Sequence, residues 1–472
     1  MPINIEGGRE YQLIIGIPVR RKVKKMNFKQ SSIFFFVNFV RFVFQYQLKK
    51  DTTNSLKIAG LVWVSIVVIA VLTCTGCSSS GGSAGTGKTV KLTVWSTMGK
   101  METEALEGVL KTFQERNPAI QVQMESIFFY QGKSKFESAA KAGVAPDVMR
   151  ADRFWIPGFA KAGYIQELDQ VALSEEMADL FPIAREAVNV DGKVYGLPHA
   201  IDCLALFYNK AHFLEAGVSP PDSFDQFRDT ASKLSSGEKG RFGFFMNPDG
   251  WYFEPFLFGF GGKYFESGRL VIQSDQTLKA VHFLQDLKDT QHALPPVNLR
   301  TDTYKMMMQS FKSGQISMMM NGPWGIRDAL SGTAFKDNVG NLGMAPLPKG
   351  PAGRFSPIGI QNWVISSTCK SRKEALTLIR FLCSSEVEGI ISKKNFGLPA
   401  RLSLFSDPEL KKDPFLGPFL RQIQEGSALP DTSAERGELY GVISEFLVKV
   451  LNGDLSPEDA MKDLVSSWKG KK

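Results

Sequence analysis

The chain has 472 residues, enough for two to four domains at ~100–200 residues each. With 43% hydrophobic and 22% charged residues it has the composition of an ordinary globular protein. Its formal charge of +8 resides in residues 1–76, where the basic residues from Arg9 to Lys57 face only Glu6, Glu10 and Asp51 as acids. The rest of the chain carries equal numbers of acidic and basic residues. A basic body that grips phosphates is therefore excluded, and no nucleic-acid partner is expected. In the body, Cys203, Cys369 and Cys383 are scattered, as are the His residues, so neither a disulfide framework nor a metal or cofactor site is expected.

Residues 1–76 read as a leader. Ile58–Thr73 (IAGLVWVSIVVIAVLT) is free of charge but falls short of the ~20 residues needed to span a bilayer. It follows Lys49, Lys50 and Lys57, the basic-then-apolar order of a secretory signal. Residues 33–45 are Phe-rich but interrupted by Asn38 and Arg41, which makes a poor span, and much of 1–47 reads as sequence upstream of the true start. Cys74-Thr75-Gly76-Cys77 closes the apolar run, and 77–87 form a small-residue tether. A small residue before a Cys at this place resembles the lipobox of bacterial lipoproteins, which implies acylation of Cys77. Cys74 departs from that pattern, which usually has Leu there. The alternative is an uncleaved membrane anchor; in either case the body lies outside the cytoplasm.

The body opens with a strand in which Val90, Leu92 and Val94 alternate with Lys91, Thr93 and Trp95. Leu106, Val109, Leu110 and Phe113 then mark one face of a helix, which Asn117-Pro118 stops. Ile120, Val122 and Met124 form a second strand. Strand, helix, strand in so short a stretch predicts a parallel sheet covered by helices. Tyr304, Met307, Met308 and Phe311 make another helical stripe before the strand Ile316–Met320. Ala375, Leu376, Ile379, Leu382 and Cys383 follow the apolar run Trp363–Ile365 in the same way. The Met clusters 306–308 and 318–320 could suggest a copper or greasy peptide site, but their helix and strand spacing points to core packing. Asn209-Lys210 reads as the end of a strand and the cap of the next helix. No GxGxxG or HExxH occurs.

A series of short strings runs through the body in a fixed order. They are Ala145-Pro146-Asp147-Val148, Ala151-Asp152-Arg153-Phe154, Gly163-Tyr164-Ile165-Gln166-Glu167-Leu168, Asp191-Gly192-Lys193-Val194-Tyr195-Gly196-Leu197-Pro198 and Phe207-Tyr208-Asn209-Lys210. They continue through Phe311-Lys312-Ser313-Gly314, Asn321-Gly322-Pro323-Trp324, Gly343-Met344-Ala345-Pro346-Leu347-Pro348 and Gly397-Leu398-Pro399-Ala400-Arg401, and end near Ser456-Pro457-Glu458-Asp459-Ala460. In order and spacing this resembles the family 1 extracellular solute-binding proteins, the capture subunits of ABC importers, over nearly all of 88–472.

The resemblance implies an α/β periplasmic-binding fold of two lobes joined by crossover segments, with the ligand in the cleft between them. Lobe 1 would comprise 88–199 plus 344–396, and lobe 2 would comprise 200–343 plus 397–472, the Asp191-Gly192 turn preceding the first crossover. A sugar offers hydroxyls at its edge and C–H groups on its faces, so carboxylates, Arg and aromatic rings are the residue types that fit. Matched to maltose-binding members, the ligand-binding residues would be Asp152, Arg153, Asp202, Trp251 and Trp324. Trp363 lies where other members place a cleft aromatic, and Lys100 follows the first strand where a polar cleft residue occurs. Asp249 and Glu254, beside Trp251, read as surface carboxylates.

The function so implied is a lipid-anchored, monomeric receptor on the extracytoplasmic face of a bacterial membrane, in the periplasm or at the cell surface. It would capture a sugar or oligosaccharide by hinge closure and deliver it to the membrane permease. Three alternatives differ in class. A glycosidase would place the Asp152 and Asp202 carboxyls ~5–5.5 Å apart, or ~6.5–9.5 Å for inversion. An adhesin would use the same fold as a surface scaffold. A receptor for a glycerol phosphodiester would need several Lys or Arg converging on the cleft.

Overall fold

The computed structural model describes residues 89–469 except 172, 297, 300–301 and 427–433. The leader, the apolar run Ile58–Thr73, Cys77 and the tether thus lie outside the described residues. Among those described, no helix is long and apolar enough to cross a membrane.

The chain enters on β1 (Val90–Ser96), whose Leu92 and Val94 are buried while Lys91 and Thr93 face solvent. Helix α1 (Lys100–Arg116) buries Leu106, Val109, Leu110 and Phe113, each worth ~1.5–3 kcal/mol as apolar surface removed from water. Its first turn is closed by Glu102, whose Oε2 accepts from Gly99 N–H at 2.9 Å. It ends one residue before Asn117, as the following proline requires. Then come β2 (Ile120–Ser126), α2 (Phe129–Lys141), β3 (Val148–Asp152) and the short α3 (Ile156–Lys161). A hairpin follows, turning at Asp191 and Gly192, both with positive φ (52° and 81°), the geometry that Asp-Gly favours in a two-residue turn.

After the hairpin, β4 (Leu197–Cys203) leads through Leu204 into β5 (Ala205–Asn209). Asn209 ends that strand and caps helix Lys210–Ala216, its Oδ1 accepting from Ala211 N–H at 3.0 Å. The chain continues through β6 (Phe242–Phe245), α4 (Gly250–Gly259), α5 (Thr303–Ser313), β7 (Ile316–Asn321), β8 (Leu342–Ala345), β9 (Ile358–Ile365) and β10 (Leu398–Pro399), and later α6 (Ala434–Leu451). Met307, Met308 and Met318–Met320 are core residues.

Two sheets organise these elements, which makes the fold a two-lobed α/β protein. The larger has the order β10-β4-β9-β3-β1-β2 and the smaller β8-β5-β7-β6. β1 pairs parallel with both β2 and β3, whereas β9 is antiparallel to β3 and β4. The boundaries expected at 199/200 and 343/344 fall inside paired strands. Residues 200–203 stay with the larger sheet because β4 is continuous through Cys203. Residues 344–345 pair with β5 in the smaller sheet, and Leu398–Pro399 pair with β4 in the larger. Backbone pairing carries each strand past the point where the motifs change.

Candidate ligand cleft

Because β4, β3, β1 and β2 all run in one direction, their C-terminal ends lie at one end of the larger sheet. That end is where ligands sit in open α/β sheets, since loops there are free of pairing. It carries Asp202 on β4, Asp152 on β3, Thr97–Lys100 after β1 and Ile127–Tyr130 after β2.

Asp152 is 6% exposed. Its Oδ1 accepts from Phe154 N–H at 2.9 Å and its Oδ2 from Gln361 Nε2 at 3.1 Å. Burial raises its pKa to about 6, against the opposing pull of those bonds and of Arg153. Asp202 is 9% exposed, and burial followed by the nearby charge of Asp152 raises its pKa to about 7. Arg150, buried beside both, donates from Nε to His199 Nε2 at 3.0 Å and from Nη1 to Thr97 Oγ1 at 3.2 Å. His199 must be neutral to accept, and burial together with Arg150 holds it well below the usual imidazole range.

Arg153 donates from Nη1 to Ile358 O at 3.2 Å, while its buried Nη2 has no hydrogen-bond partner. Its guanidinium sits 5.1 Å from the Phe154 ring centroid. Phe154 meets Tyr440 of α6 edge-on, at 5.7 Å and 88°, and Tyr440 meets Trp251 edge-on at 6.2 Å. Beneath them Glu254 of α4 pairs with Arg436 of α6, Arg436 Nε lying 2.8 Å from Glu254 Oε1, and accepts from the Tyr440 hydroxyl at 2.7 Å. Glu254 is 0% exposed, so the expectation of a surface carboxylate is wrong here. Its partners are far along the chain, and only such pairing makes a buried charge tolerable.

The smaller sheet contributes the loops after β6 and β7. Asp249 caps α4, its Oδ1 accepting from Tyr252 N–H at 3.0 Å, and burial raises its pKa to about 7. Tyr252 donates its hydroxyl to Asn321 Oδ1 at 3.1 Å. Trp324, in the tight turn Pro323–Gly325, is half-buried. Its ring lies flat over Gly322, where a Cβ would come within 2.0 Å of Cζ3. One ring face is thus backed by glycine backbone. Trp251 is half-buried, and its Nε1, shielded from water, has no hydrogen-bond partner. Tyr130 and Tyr252 are electrostatic neighbours of Asp249 and Tyr304, so side chains of both lobes meet in this cleft.

The model for the bacterial extracellular solute-binding protein matches residues 108–418. The chain belongs to that family. It is 24% identical to a maltotriose-binding protein of Pyrococcus abyssi, over 77% of this chain and 79% of the relative. It is 24% identical to a galactooligosaccharide-binding protein of Bacillus subtilis, over 86% and 94%. Among solved structures, the GacH receptor of Streptomyces glaucescens, studied unliganded and with acarbose, superposes with a TM-score of 0.75. It is 29% identical, over 81% of this chain and 98% of that one. A maltotriose-binding protein of Thermus thermophilus gives 0.70 at 25% identity, over 80% and 99%. All are binding proteins rather than enzymes, and the glycosidase alternative falls with that.

In this solute-binding protein, Asp152, Arg153 and Asp202 stand at one end of the larger sheet, Trp251 reaches Arg153 through the Tyr440 and Phe154 rings, and Trp324 follows β7 of the smaller sheet. Lys100 begins α1 at the same sheet end and is exposed. Trp363 does not face the cleft. It is 1% exposed on β9, its ring 5.5 Å from that of His199, so it offers a ligand no free face. It acts at one remove, packing on the imidazole that holds Arg150. The motif comparison passed over Arg150, Gln361, Tyr252 and Tyr304. A signal existed for the first two. Arg150 stands in VMRAD and Gln361-Asn362 in IGIQNWVI, strands buried at every position, where polar side chains need a reason to be.

Proposed function

We propose that this protein is the capture subunit of an ABC importer and binds a neutral saccharide between its lobes. The observation that carries this reading is a set of buried polar atoms without partners around one cleft. Arg153 Nη2 and Trp251 Nε1 are donors and Gln361 Oε1 is an acceptor, and native proteins rarely leave such groups unpaired. A hydroxyl-rich ligand supplies both kinds of partner. Trp324, with one ring face backed by Gly322, suits the C–H face of a sugar ring. The named specificities of the relatives point the same way.

A glycerol phosphodiester fits less well. Asp152, Asp202, Asp249, Glu102 and Glu254 outweigh Arg150, Arg153 and Arg436 around the cleft. Arg436 is already neutralised by Glu254. Arg150 is turned to His199 and Thr97, so several cations do not converge on an anion here.

In this reading the crossovers between the sheets act as hinges, and ligand touching both lobes favours the closed state. The Cys77 lipid would hold the receptor at the outer membrane face beside its permease. The test is thermal shift of the purified body against mono- and oligosaccharides, with a glycerol phosphodiester alongside. A ligand bound only by the folded state raises the melting temperature by mass action. Stabilisation by saccharides supports the reading, and stabilisation by the phosphodiester alone overturns it.

A further inference from the structure

The lobes touch one another directly through side chains outside the ligand set. Arg327 stands on the short helix Ile326–Leu330, three residues past Trp324, on the lobe of the smaller sheet. Its Nη1 donates to Asn395 Oδ1 at 2.9 Å, and its Nη2 lies 3.7 Å from Glu104 Oε2. Both partners belong to the lobe of the larger sheet. Glu104 is on α1, and Asn395 ends the helix Ser385–Asn395, which packs on α1 and leads into β10. Asn395 is buried and held in place, its Nδ2 donating to Glu102 O at 3.1 Å. The exposed Glu104 adds little to an ion pair, so the bond to the buried amide is the one that ties the lobes. Asp328, next to Arg327, pairs with Lys312 of α5, which fastens the short helix to its own lobe.

A second contact is made by the start of α6, which packs on α4 and so belongs to the lobe of the smaller sheet. It meets Phe154, just past β3 of the larger sheet. A Cβ on Gly437 would stand 2.7 Å from Phe154 Cβ, well inside the ~3.5–4.0 Å at which non-bonded carbons rest. Gly437 has an ordinary helical backbone, with no positive φ to require glycine. In a helix interior glycine is less favourable than alanine. Close approach of the other lobe is what accounts for it.

We infer that Arg327 and Gly437 are positioning residues for capture, stabilising the closed pairing of the lobes without touching the saccharide. Arg327 does so by tying the Trp324 turn to Asn395, and Gly437 by admitting Phe154. This rests on the saccharide reading with hinge closure and adds to it the residues that set the closing equilibrium. A contact made only in the closed state biases that equilibrium whatever is bound. It therefore scales the affinity for every ligand by one factor, whereas a ligand contact discriminates.

The test compares wild type with Arg327→Ala and Gly437→Ala by small-angle scattering without ligand, thermal melting, and calorimetric titration with maltotriose and β-1,4-galactotriose. Each variant should enlarge the ligand-free radius of gyration. Each should weaken binding roughly tenfold, by the same factor for both saccharides wherever both bind. Gly437→Ala improves helix propensity, so its ligand-free melting temperature should hold or rise while binding falls, a combination that a purely structural role would not give. Unchanged scattering and affinity overturn the inference. So does a loss confined to one saccharide, which would mark a ligand contact, or a lower melting temperature of Gly437→Ala with unchanged scattering, which would mark packing within one lobe. If neither saccharide binds, the saccharide reading loses its support, and the ligand-free scattering of the two variants still decides whether these residues hold the lobes together.

Discussion

The Asp202 carboxylate lies across the backbone of Gly359, its direct partner on β9, so closely that a Cβ on the glycine would be 1.9 Å from Oδ1. The glycine is the reason the carboxylate can lie flat toward Gln361 and the cleft. Gly359→Ala should turn Asp202 away. A lost charge-assisted hydrogen bond is worth ~1.5–3 kcal/mol, so saccharide affinity should fall roughly ten- to hundredfold. In an Asp202→Ala background the glycine change should cost nothing further. Calorimetry on the four proteins of the cycle decides the matter, and additive losses would mean that Gly359 acts elsewhere.

Trp324 and Trp363 should respond in opposite ways. Trp324→Ala should weaken binding about tenfold to a hundredfold, taking base–aromatic stacking as the analogue, with the ligand-free melting temperature nearly unchanged. Trp363→Ala removes a fully buried ring and should cost ~3–5 kcal/mol of stability. A badly destabilised Trp324→Ala whose folded fraction binds normally would make Trp324 a core residue.

The cleft carboxyls predict a pH signature. Asp202 titrates near 3.8 when unfolded and at about 7 when folded, so the folded state holds the extra proton between those values. Stability from this group is present at low pH and lost as pH rises through 7. His199, held neutral, acts in the opposite sense as pH falls below about 6.5. Asp202→Asn isolates the first effect. It should raise the ligand-free melting temperature at pH 8 and leave it unchanged near pH 4. Wild-type saccharide affinity should decline from pH 8 to pH 5, where an accepting carboxylate has become protonated. Equal gains from Asp202→Asn at both pH values would contradict the assignment.

Glu254 and Arg436 should be far more sensitive singly than together. Removing one partner leaves an uncompensated buried charge and should cost ~3–5 kcal/mol. Replacing both by apolar residues of similar volume, Glu254→Met with Arg436→Leu, should recover much of that. Urea unfolding of the two single variants and the double variant measures the coupling. Purely additive losses would show that the pair is not a unit.

Cys77→Ala should leave the precursor unprocessed or release a soluble form, as followed by membrane fractionation and mass spectrometry of the N-terminal peptide. If Cys74→Ala has that effect and Cys77→Ala does not, the processing site lies three residues earlier.

What the sequence determined alone is whatever short-range interactions encode. The period of Leu106, Val109, Leu110 and Phe113, the stop at Asn117-Pro118, the Asp191-Gly192 turn and the Asn209 cap each depend on a few neighbouring residues, and each is found as read. The order of the motifs likewise foretold two α/β lobes. Which polar side chains are buried, and which aromatics are free, was decided by tertiary structure. Glu254 reads as a surface acid until Arg436, 182 positions away, closes over it. Trp363 reads as a cleft ring until the fold buries it to 1% exposure against the His199 ring. Arg150 acquires its role only when His199 arrives 49 residues later. The physical reason is that desolvating a charge or a ring is set by the atoms that finally surround it, and those come from strands the chain brings together only on folding.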